Sequence, residues 1–181
     1  MPVNEMIRRA TVEDAPAIAA IHIAAWKAAY AGYLTWEFLD SISMEQRTAS
    51  WRQQLAGTSA TTLVFTKKEG PEAVMCGWVV YGRARDGDMD STTVGEVYAI
   101  YLAPERWHKG IGRQLLTAAE AGLRSAGFTY CVVWALSENT TARAFYPACG
   151  FRADGASKLL DIGGTNVTEL RFAKRLDREG N

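Results

Sequence analysis

Hydrophobic and polar positions recur with helical spacing in the first third of the chain. Thr11 and Asp14 have the form of a helix start, with Thr11 as the cap. Apolar residues then recur every three or four positions until Gly32, where a helix stop is expected. A second pattern of this kind covers roughly 35–56, with a break near Ser41. The spacing therefore predicts one long helix followed by an interrupted one.

The pattern then changes to the short runs that are typical of strands. The segments 61–66, 74–81 and 93–102 are rich in β-branched and aromatic residues and are separated by turn-like stretches. They predict an antiparallel meander. Residues 110–126 carry their apolar side chains on one helical face, and a buried strand is predicted at 130–136.

Both ends of the chain also carry strand patterns. A short strand is predicted at 7–10, before the first helix. Asn139 can cap a shorter helix that ends near Cys149. The segments 157–162 and 165–174 are joined by two glycines and predict a hairpin.

The order of these elements predicts the fold class. A strand, a helix and a second strand follow one another within 93–136, which favours a parallel pair joined by a right-handed crossover. The remaining neighbours favour antiparallel pairing, so we expect an α/β fold class with an α+β mixed sheet. A domain typically has ~100–200 residues. The chain has 181 residues, so we expect a single domain over 1–181.

Composition excludes several classes of protein. Lys and Arg together number 20, as do Asp and Glu, so no net positive field attracts nucleic acid or an anionic membrane. Three widely spaced cysteines and two histidines support neither a disulfide framework nor a metal site. No apolar stretch approaches the roughly 18 residues of a membrane span. We therefore expect a cytoplasmic protein without a metal, a nucleic-acid partner or a membrane partner.

The segment 98–113 carries the clearest candidate chemistry. It combines a strand, a Pro-containing turn and two glycines, Gly110 and Gly112, at the start of a helix. Backbone amides at a helix start lack partners and attract phosphate, and Lys109 and Arg113 would add positive charge. The alternative is a glycine-rich turn with solvated charges. The P-loop and dinucleotide motifs are both absent.

The residues from Trp107 to Gly112 read WHKGIG and follow a strand, while Ala144–Phe151 read AFYPACGF. In both segments the chain resembles the GNAT superfamily of acetyl-CoA-dependent N-acetyltransferases. It departs from the family pattern at Trp107, where Gln or Arg is usual. The resemblance implies a GNAT-like acyl-CoA N-acyltransferase fold, with a mostly antiparallel central sheet, one parallel strand pair and about four flanking helices. It also implies acetyl-CoA as the cosubstrate.

The resemblance further implies roles for individual residues. Tyr146 would be the general acid near the sulfur, and Glu96 matches a general base of some family members. Period-two alternation would place Glu96 on one strand face with Tyr98, Ile100 and Leu102. The alternatives are a structural carboxylate at Glu96, a packed aromatic at Tyr146 and a simple helix cap at Asn139. The implied cofactor-binding residues are Ile100, Tyr101, Leu102, His108, Lys109, Gly110, Ile111, Gly112, Arg113 and Asn139.

The acceptor is less well defined by the sequence. Trp26, Tyr30 and Tyr33 are candidates for the wall of an acceptor pocket, and the alternative for them is a role in the core. The resemblance implies direct acetyl transfer, in a ternary complex, to a primary amine of a small molecule. A peptide or protein amine is an alternative acceptor. A non-catalytic acyl-CoA-binding sensor or interaction module is a further alternative, and the resemblance is also compatible with a homodimer.

Overall fold

The structure, a computed structural model, describes residues 4–176, and its elements follow the predicted order. The strands are β1 Glu5–Arg9, β2 Ala60–Glu69, β3 Glu72–Arg83, β4 Val94–Leu102, β5 Tyr130–Leu136, β6 Arg152–Ile162 and β7 Thr165–Arg175. The helices are α1 Ala15–Tyr30, α2 Trp36–Ser41, α3 Met44–Ala56, α4 Ile111–Ser125 and α5 Thr140–Ala148. None of the helices among these residues is long and apolar enough to cross a membrane.

Short polar side chains explain where several helices begin. The side chains of Thr35, Ser43 and Asn139 accept hydrogen bonds from backbone N–H groups three residues later, at 2.9–3.2 Å. Because Ser43 caps a new helix, the predicted stretch 35–56 divides into α2 and α3. Before α1, a single 3-10 turn separates Thr11 from the helix, and the Asp14 carboxylate accepts a hydrogen bond from the backbone N–H of Thr11 at 2.8 Å.

The seven strands form one sheet in the order β1-β2-β3-β4-β5-β7-β6. Neighbouring strands are antiparallel except for β4 and β5, so the predicted parallel pair is confirmed. The register of this pair runs only from Val94–Tyr130 to Val97–Val133. The later parts of β4 and β5 therefore separate, and one backbone edge of β4 is not paired with β5.

Helices cover both faces of the sheet. Helices α4 and α5 pack on one face, where Leu115, Leu123 and Tyr146 belong to the main core cluster. Helices α1 and α3 pack on the other face around Trp51 and Trp78. The separated ends of β4 and β5 consequently lie between two helical layers.

A bulge in β4 overturns one prediction about this strand. Val80 pairs with Ala99 but Tyr81 pairs with Val97, so Tyr98 has no partner in the β3–β4 register. A bulge shifts the alternation of side chains by one residue. Val97 and Ile100 therefore both face the α4 side.

The predicted common face of Glu96, Ile100 and Leu102 is wrong for this reason. Ile100 and Leu102 pack with the α4 cluster. Glu96 pairs with Val132, whose side chain belongs to a cluster on the opposite face. A bulge needs no special residue type, so the sequence contained no signal for it.

Candidate functional site

A cavity of about 910 Å³ opens where β4 and β5 separate. Its wall is formed by the C-terminal half of α1, the end of β4, the start of α4 and most of α5. The predicted site residues on this wall are Tyr33, Ile100, Tyr101, Leu102, His108, Gly110, Gly112, Arg113, Asn139 and Tyr146. The structure thus brings together residues from the two motifs that carry the family resemblance, Trp107–Gly112 and Ala144–Phe151.

Some predicted residues lie elsewhere. Lys109 is exposed beside the cavity, and Ile111 is buried in the α4 core cluster. Trp26 and Tyr30 pack edge to face in a separate core cluster, with ring centroids 5.3 Å apart. The rings of Trp26 and Tyr30 therefore pack in the core, which was the alternative to a place in the wall of the acceptor pocket.

The start of α4 is suited to an anionic group. Gly110 precedes the helix with a φ of +80°, and no side chain caps the first turn, so its N–H groups lack side-chain acceptors. A β carbon at Gly112 would meet no atom closer than Phe145 at 3.5 Å. Gly112 lies on the cavity wall, so its backbone can come close to a ligand there, and Arg113 on the same wall adds positive charge.

Trp107 holds the loop before α4 in place. Its indole Nε1–H donates a hydrogen bond to the Leu102 carbonyl at 3.1 Å, and its side chain belongs to the cavity wall. His108, the next residue, has a φ of +59°, which is strained for a residue with a side chain. Trp107, where the sequence departs from the family pattern, thus connects the loop to the end of β4 by a hydrogen bond. The sequence motif alone did not indicate this connection.

Tyr146 is held by aromatic packing at the cavity wall. It is 5% exposed, and its ring lies 5.9 Å from Phe151 and 5.8 Å from Phe172, measured between centroids. Helix α5 continues through Pro147, so the proline does not turn Tyr146 away from the cavity. Burial raises the pKa of this phenol far above its ordinary value, with a smaller contribution from Tyr30. The phenol is therefore a neutral hydrogen-bond donor.

Glu96 lies outside the cavity wall, under a cover formed by Arg85. It is 1% exposed, and its Oε2 accepts hydrogen bonds from the backbone N–H and Nε–H of Arg85 at 3.0 and 3.2 Å. The guanidinium of Arg85 lies 4.1 Å above the ring of Tyr98. A catalytic role for Glu96 stays a prediction, but its geometric premise is lost.

Glu96→Gln is expected to lower stability more clearly than turnover. Loss of charged hydrogen bonds should cost about 1.5–3 kcal/mol in the free energy of unfolding, measured by urea denaturation. Turnover should fall by less than about tenfold, since a lost general base typically costs ~10²–10⁴-fold. A hundredfold loss of turnover in a folded Glu96→Gln protein would restore the catalytic assignment.

His22 lies in an aromatic cage behind the cavity. Its ring is stacked on Tyr101 at 5.3 Å and is also close to Trp26, Trp51 and Trp78. Both ring nitrogens are buried without a hydrogen-bond partner among residues 4–176. Burial, with a smaller effect of Arg47, lowers the pKa of His22 to about 4. The imidazole is neutral at physiological pH.

This buried histidine should make the fold acid-sensitive. Below pH 6.5 the unfolded chain binds a proton at His22 that the folded protein does not bind until about pH 4. Stability is therefore lost as the pH falls through this window, by about 3 kcal/mol in total. We expect His22→Phe to remove this component. Urea unfolding at pH 7 and pH 4.5 should show a smaller acid loss in His22→Phe than in the wild type, and equal losses would contradict the assignment.

Comparisons with known proteins agree with this geometry. A family model described as "Acetyltransferase (GNAT) family" matches residues 20–151. The N-acetyltransferase YuaI of Bacillus subtilis is 30% identical over 143 residues, which cover 78% of this chain and 77% of YuaI. A spermidine N(1)-acetyltransferase of Thermoplasma acidophilum is 24% identical over 82% of this chain and 88% of its own length.

Solved structures show the same fold. The PaiA N-acetyltransferase of Thermoplasma acidophilum in complex with coenzyme A has a TM-score of 0.68 at 22% identity, covering 94% of this chain and 98% of that one. YncA of Salmonella typhimurium, a structure with acetyl-CoA, has a TM-score of 0.69 at 24% identity, with 98% and 97% covered. At these identities the likeness concerns the fold.

Proposed function

This chain belongs to the acetyltransferase (GNAT) family and is an acyltransferase, and on that premise we propose that it transfers the acetyl group of acetyl-CoA directly to a primary amine of a small molecule. The observation that carries the proposal is one continuous cavity wall from the uncapped start of α4 to the phenol of Tyr146. An acyl-CoA carries a pyrophosphate and, at the far end of its pantetheine arm, a thioester. The start of α4 suits the pyrophosphate, and the phenol of Tyr146 suits the thioester.

The residues present fit acetyl-CoA as a cosubstrate. The open start of α4, with Gly112 and Arg113, would hold the pyrophosphate. The edge of β4 that is not paired with β5, at Ile100 and Leu102, would hold the pantetheine arm through backbone hydrogen bonds. Among the described residues, no cluster of His, Cys, Asp or Glu could hold a metal ion.

The chemistry then depends on protons at named atoms. Acetyl-CoA supplies a thioester carbon that bonds to the amine nitrogen as the carbon–sulfur bond breaks. Tyr146 donates its phenolic proton, or a hydrogen bond, to the departing sulfur. The nitrogen loses one proton as the amide forms, and this proton passes to the Tyr146 phenoxide, directly or through water. The phenol is thereby restored and CoA leaves as the thiol. The rings of Phe145 and Phe151 lie 5.3 and 5.9 Å from the Tyr146 ring and give this phenol apolar neighbours.

A small acceptor is supported by one relative and by the charge of the cavity. The Thermoplasma relative is named for spermidine, a small polyamine. Glu138 on the cavity wall is an acidic group that could attract such an amine. A cytoplasmic location and a homodimer stay predictions.

The test is release of CoA thiol from acetyl-CoA over a panel of simple amines, polyamines, amino acids and short peptides. Amine-dependent release that is largest for small amines supports the proposal, with Tyr146→Phe as the control for adventitious release. Release only with peptides would favour the peptide alternative. Tight acetyl-CoA binding without release on any amine would favour the non-catalytic sensor.

A further inference from the structure

The hydroxyls of two tyrosines pair beside the cavity, whose wall also contains Asn139 and Tyr146. The hydroxyls of Tyr30 and Tyr101 are 3.2 Å apart, and Tyr101, Asn139 and Tyr146 belong to the cavity wall. The pKa of Tyr30 is raised by burial and is lowered in part by hydrogen bonds with Tyr101 and Asn139. The hydroxyls of Tyr30 and Tyr101 are thus close neighbours, although their rings lie in different core clusters.

The ring of Tyr101 is fixed from two sides. Its centroid lies 5.3 Å from the stacked ring of His22 and 5.2 Å from the ring of Trp78. Trp78 is fully buried and His22 nearly so. The ring is therefore held by packing, and the Tyr30 hydroxyl adds one hydrogen bond to the hydroxyl of Tyr101. A polar group held in this way is preorganised for a reacting atom.

The bulge at Tyr98 places Tyr101 opposite Tyr146. Ile100 and Leu102 pack with the α4 cluster, to which Tyr146 also belongs. Tyr101 packs with the cluster of α1 and α3. The two phenols therefore approach the end of β4 from different faces of the sheet. In acyl transfer the attacking nitrogen and the leaving sulfur are separate substituents of the acyl carbon, so this arrangement lets a different phenol serve each of them.

The hydrogen bonds of this group leave the Tyr101 oxygen available. The Oδ1 of Asn139 already accepts from the backbone N–H of Ala142 at 2.9 Å, so the influence of Asn139 that lowers the pKa of Tyr30 comes from its amide N–H groups. Only one proton lies between the hydroxyls of Tyr30 and Tyr101. Burial raises the pKa of Tyr101, and Trp26 is a further neighbour, whose hydrogen bond lowers this pKa in part. When Tyr101 donates to Tyr30, its oxygen has two lone pairs, so one stays open beside Trp26.

From this juxtaposition we propose that the Tyr101 hydroxyl accepts a hydrogen bond from the N–H of the acceptor amine and directs its lone pair to the acyl carbon. Tyr101 is then a catalytic residue for the acceptor side of the reaction, and Tyr30 is a positioning residue that fixes its hydroxyl. An amine that donates one N–H to Tyr101 keeps its lone pair free for attack. The inference rests on the proposed function, because it assumes an amine acceptor.

The site also selects the form of the amine. Burial raises the pKa values of Tyr30, Tyr101 and Tyr146, so the three phenols stay neutral. Neutral phenols stabilise an ammonium ion poorly, because they carry no negative charge, whereas they hydrogen-bond well to a free amine. Tyr101 therefore binds the reactive form of the acceptor.

The experiment compares Tyr101→Phe and Tyr30→Phe with the wild-type full chain, using spermidine and butylamine as probe amines. Tyr101→Phe should lower kcat/KM for the amine by about 10–100-fold, as expected for one lost hydrogen bond in a buried site. The KM and Kd for acetyl-CoA should stay within about twofold, because the ring and the backbone of β4 are kept. Tyr30→Phe should also lower kcat/KM for the amine, by a smaller factor, and should leave the KM and Kd for acetyl-CoA within about twofold.

The double variant and a matched control separate a positioning role from a structural one. Tyr30→Phe combined with Tyr101→Phe should lose no more than Tyr101→Phe alone, since both act through one hydroxyl. Tyr98→Phe is the control, because its hydroxyl donates to the Arg83 carbonyl at 2.7 Å outside the cavity wall. It should leave both kinetic constants unchanged.

The outcomes are distinguishable. Unchanged amine kinetics in Tyr101→Phe, or an equal loss of acetyl-CoA affinity, overturns the inference while leaving the proposed function in place. A wild-type protein that acetylates neither probe nor any amine of the panel overturns the proposed function and this inference with it. Melting temperatures within a few degrees of the wild type show that the variants are folded.

Discussion

Replacing Tyr146 with phenylalanine is expected to lower kcat by about 10²–10⁴-fold. The change removes only the phenolic oxygen, so the ring should keep its packing against Phe151 and Phe172. The affinity for acetyl-CoA should therefore stay within about twofold of the wild-type value. CoA thiol release at saturating amine measures the turnover, and equilibrium binding of acetyl-CoA measures the affinity.

The pH dependence of turnover provides the control for this prediction. Burial raises the pKa of the Tyr146 phenol, so the group keeps its proton through pH 10 and its ionisation should produce no alkaline loss below that pH. A neutral phenol on the cavity wall can donate a hydrogen bond to the departing sulfur over this whole pH range. A Tyr146→Phe protein with wild-type turnover would remove Tyr146 from the acid role.

Replacing Arg171 with methionine is expected to cost about 3 kcal/mol in the free energy of unfolding, at the lower end of ~3–5 kcal/mol for a broken buried ion pair. Arg171 is 6% exposed. Its Nε–H donates to Asp154 at 2.7 Å, and its Nη groups donate to Asp88 at 2.7 and 2.9 Å and to Asp86 at 3.3 Å. The exposed Asp88 can return to water, but Asp86 and Asp154 would keep partly buried charges without this partner.

Urea denaturation measures the effect of Arg171→Met, and Arg171→Lys is the matched control. Lysine keeps the charge but lacks the planar fork that serves three carboxylates, so its loss should be intermediate. A methionine variant as stable as the wild type would show that the loop before β4 does not depend on this contact. The acetyl-CoA affinity of both variants should stay close to that of the wild type, because Arg171 is not part of the cavity wall.

Local signals made most of the fold predictable. Caps such as Thr35, Ser43 and Asn139 act within three residues, and the strand–helix–strand order within 93–136 constrains the parallel pair. The loop before α4 was recognised for the same reason, because its glycines and charges are neighbours in sequence. Features of this kind depend on short-range physics that one sequence contains.

The errors concern contacts that are distant along the chain. The bulge at Tyr98 depends on the register with β3, and it moved Glu96 to the face opposite Ile100. The pairing of the Tyr30 and Tyr101 hydroxyls joins residues that are 71 positions apart. No local pattern specifies such pairs, so the side-chain role of Tyr101 could be inferred only from the structure.

The short parallel contact between β4 and β5 has a mechanical consequence. The backbone joins β1–β4 to β5–β7 through the few pairs from Val94–Tyr130 to Val97–Val133, so the sheet has a seam that divides it into two blocks. A ligand that contacts both blocks across the seam binds the folded protein but not the unfolded chain. At a free concentration of 100 times its Kd, such a ligand adds about 2.7 kcal/mol to the free energy of unfolding. The cosubstrate would then connect the two blocks, and the free energy needed to separate them would increase with the concentration of acyl-CoA.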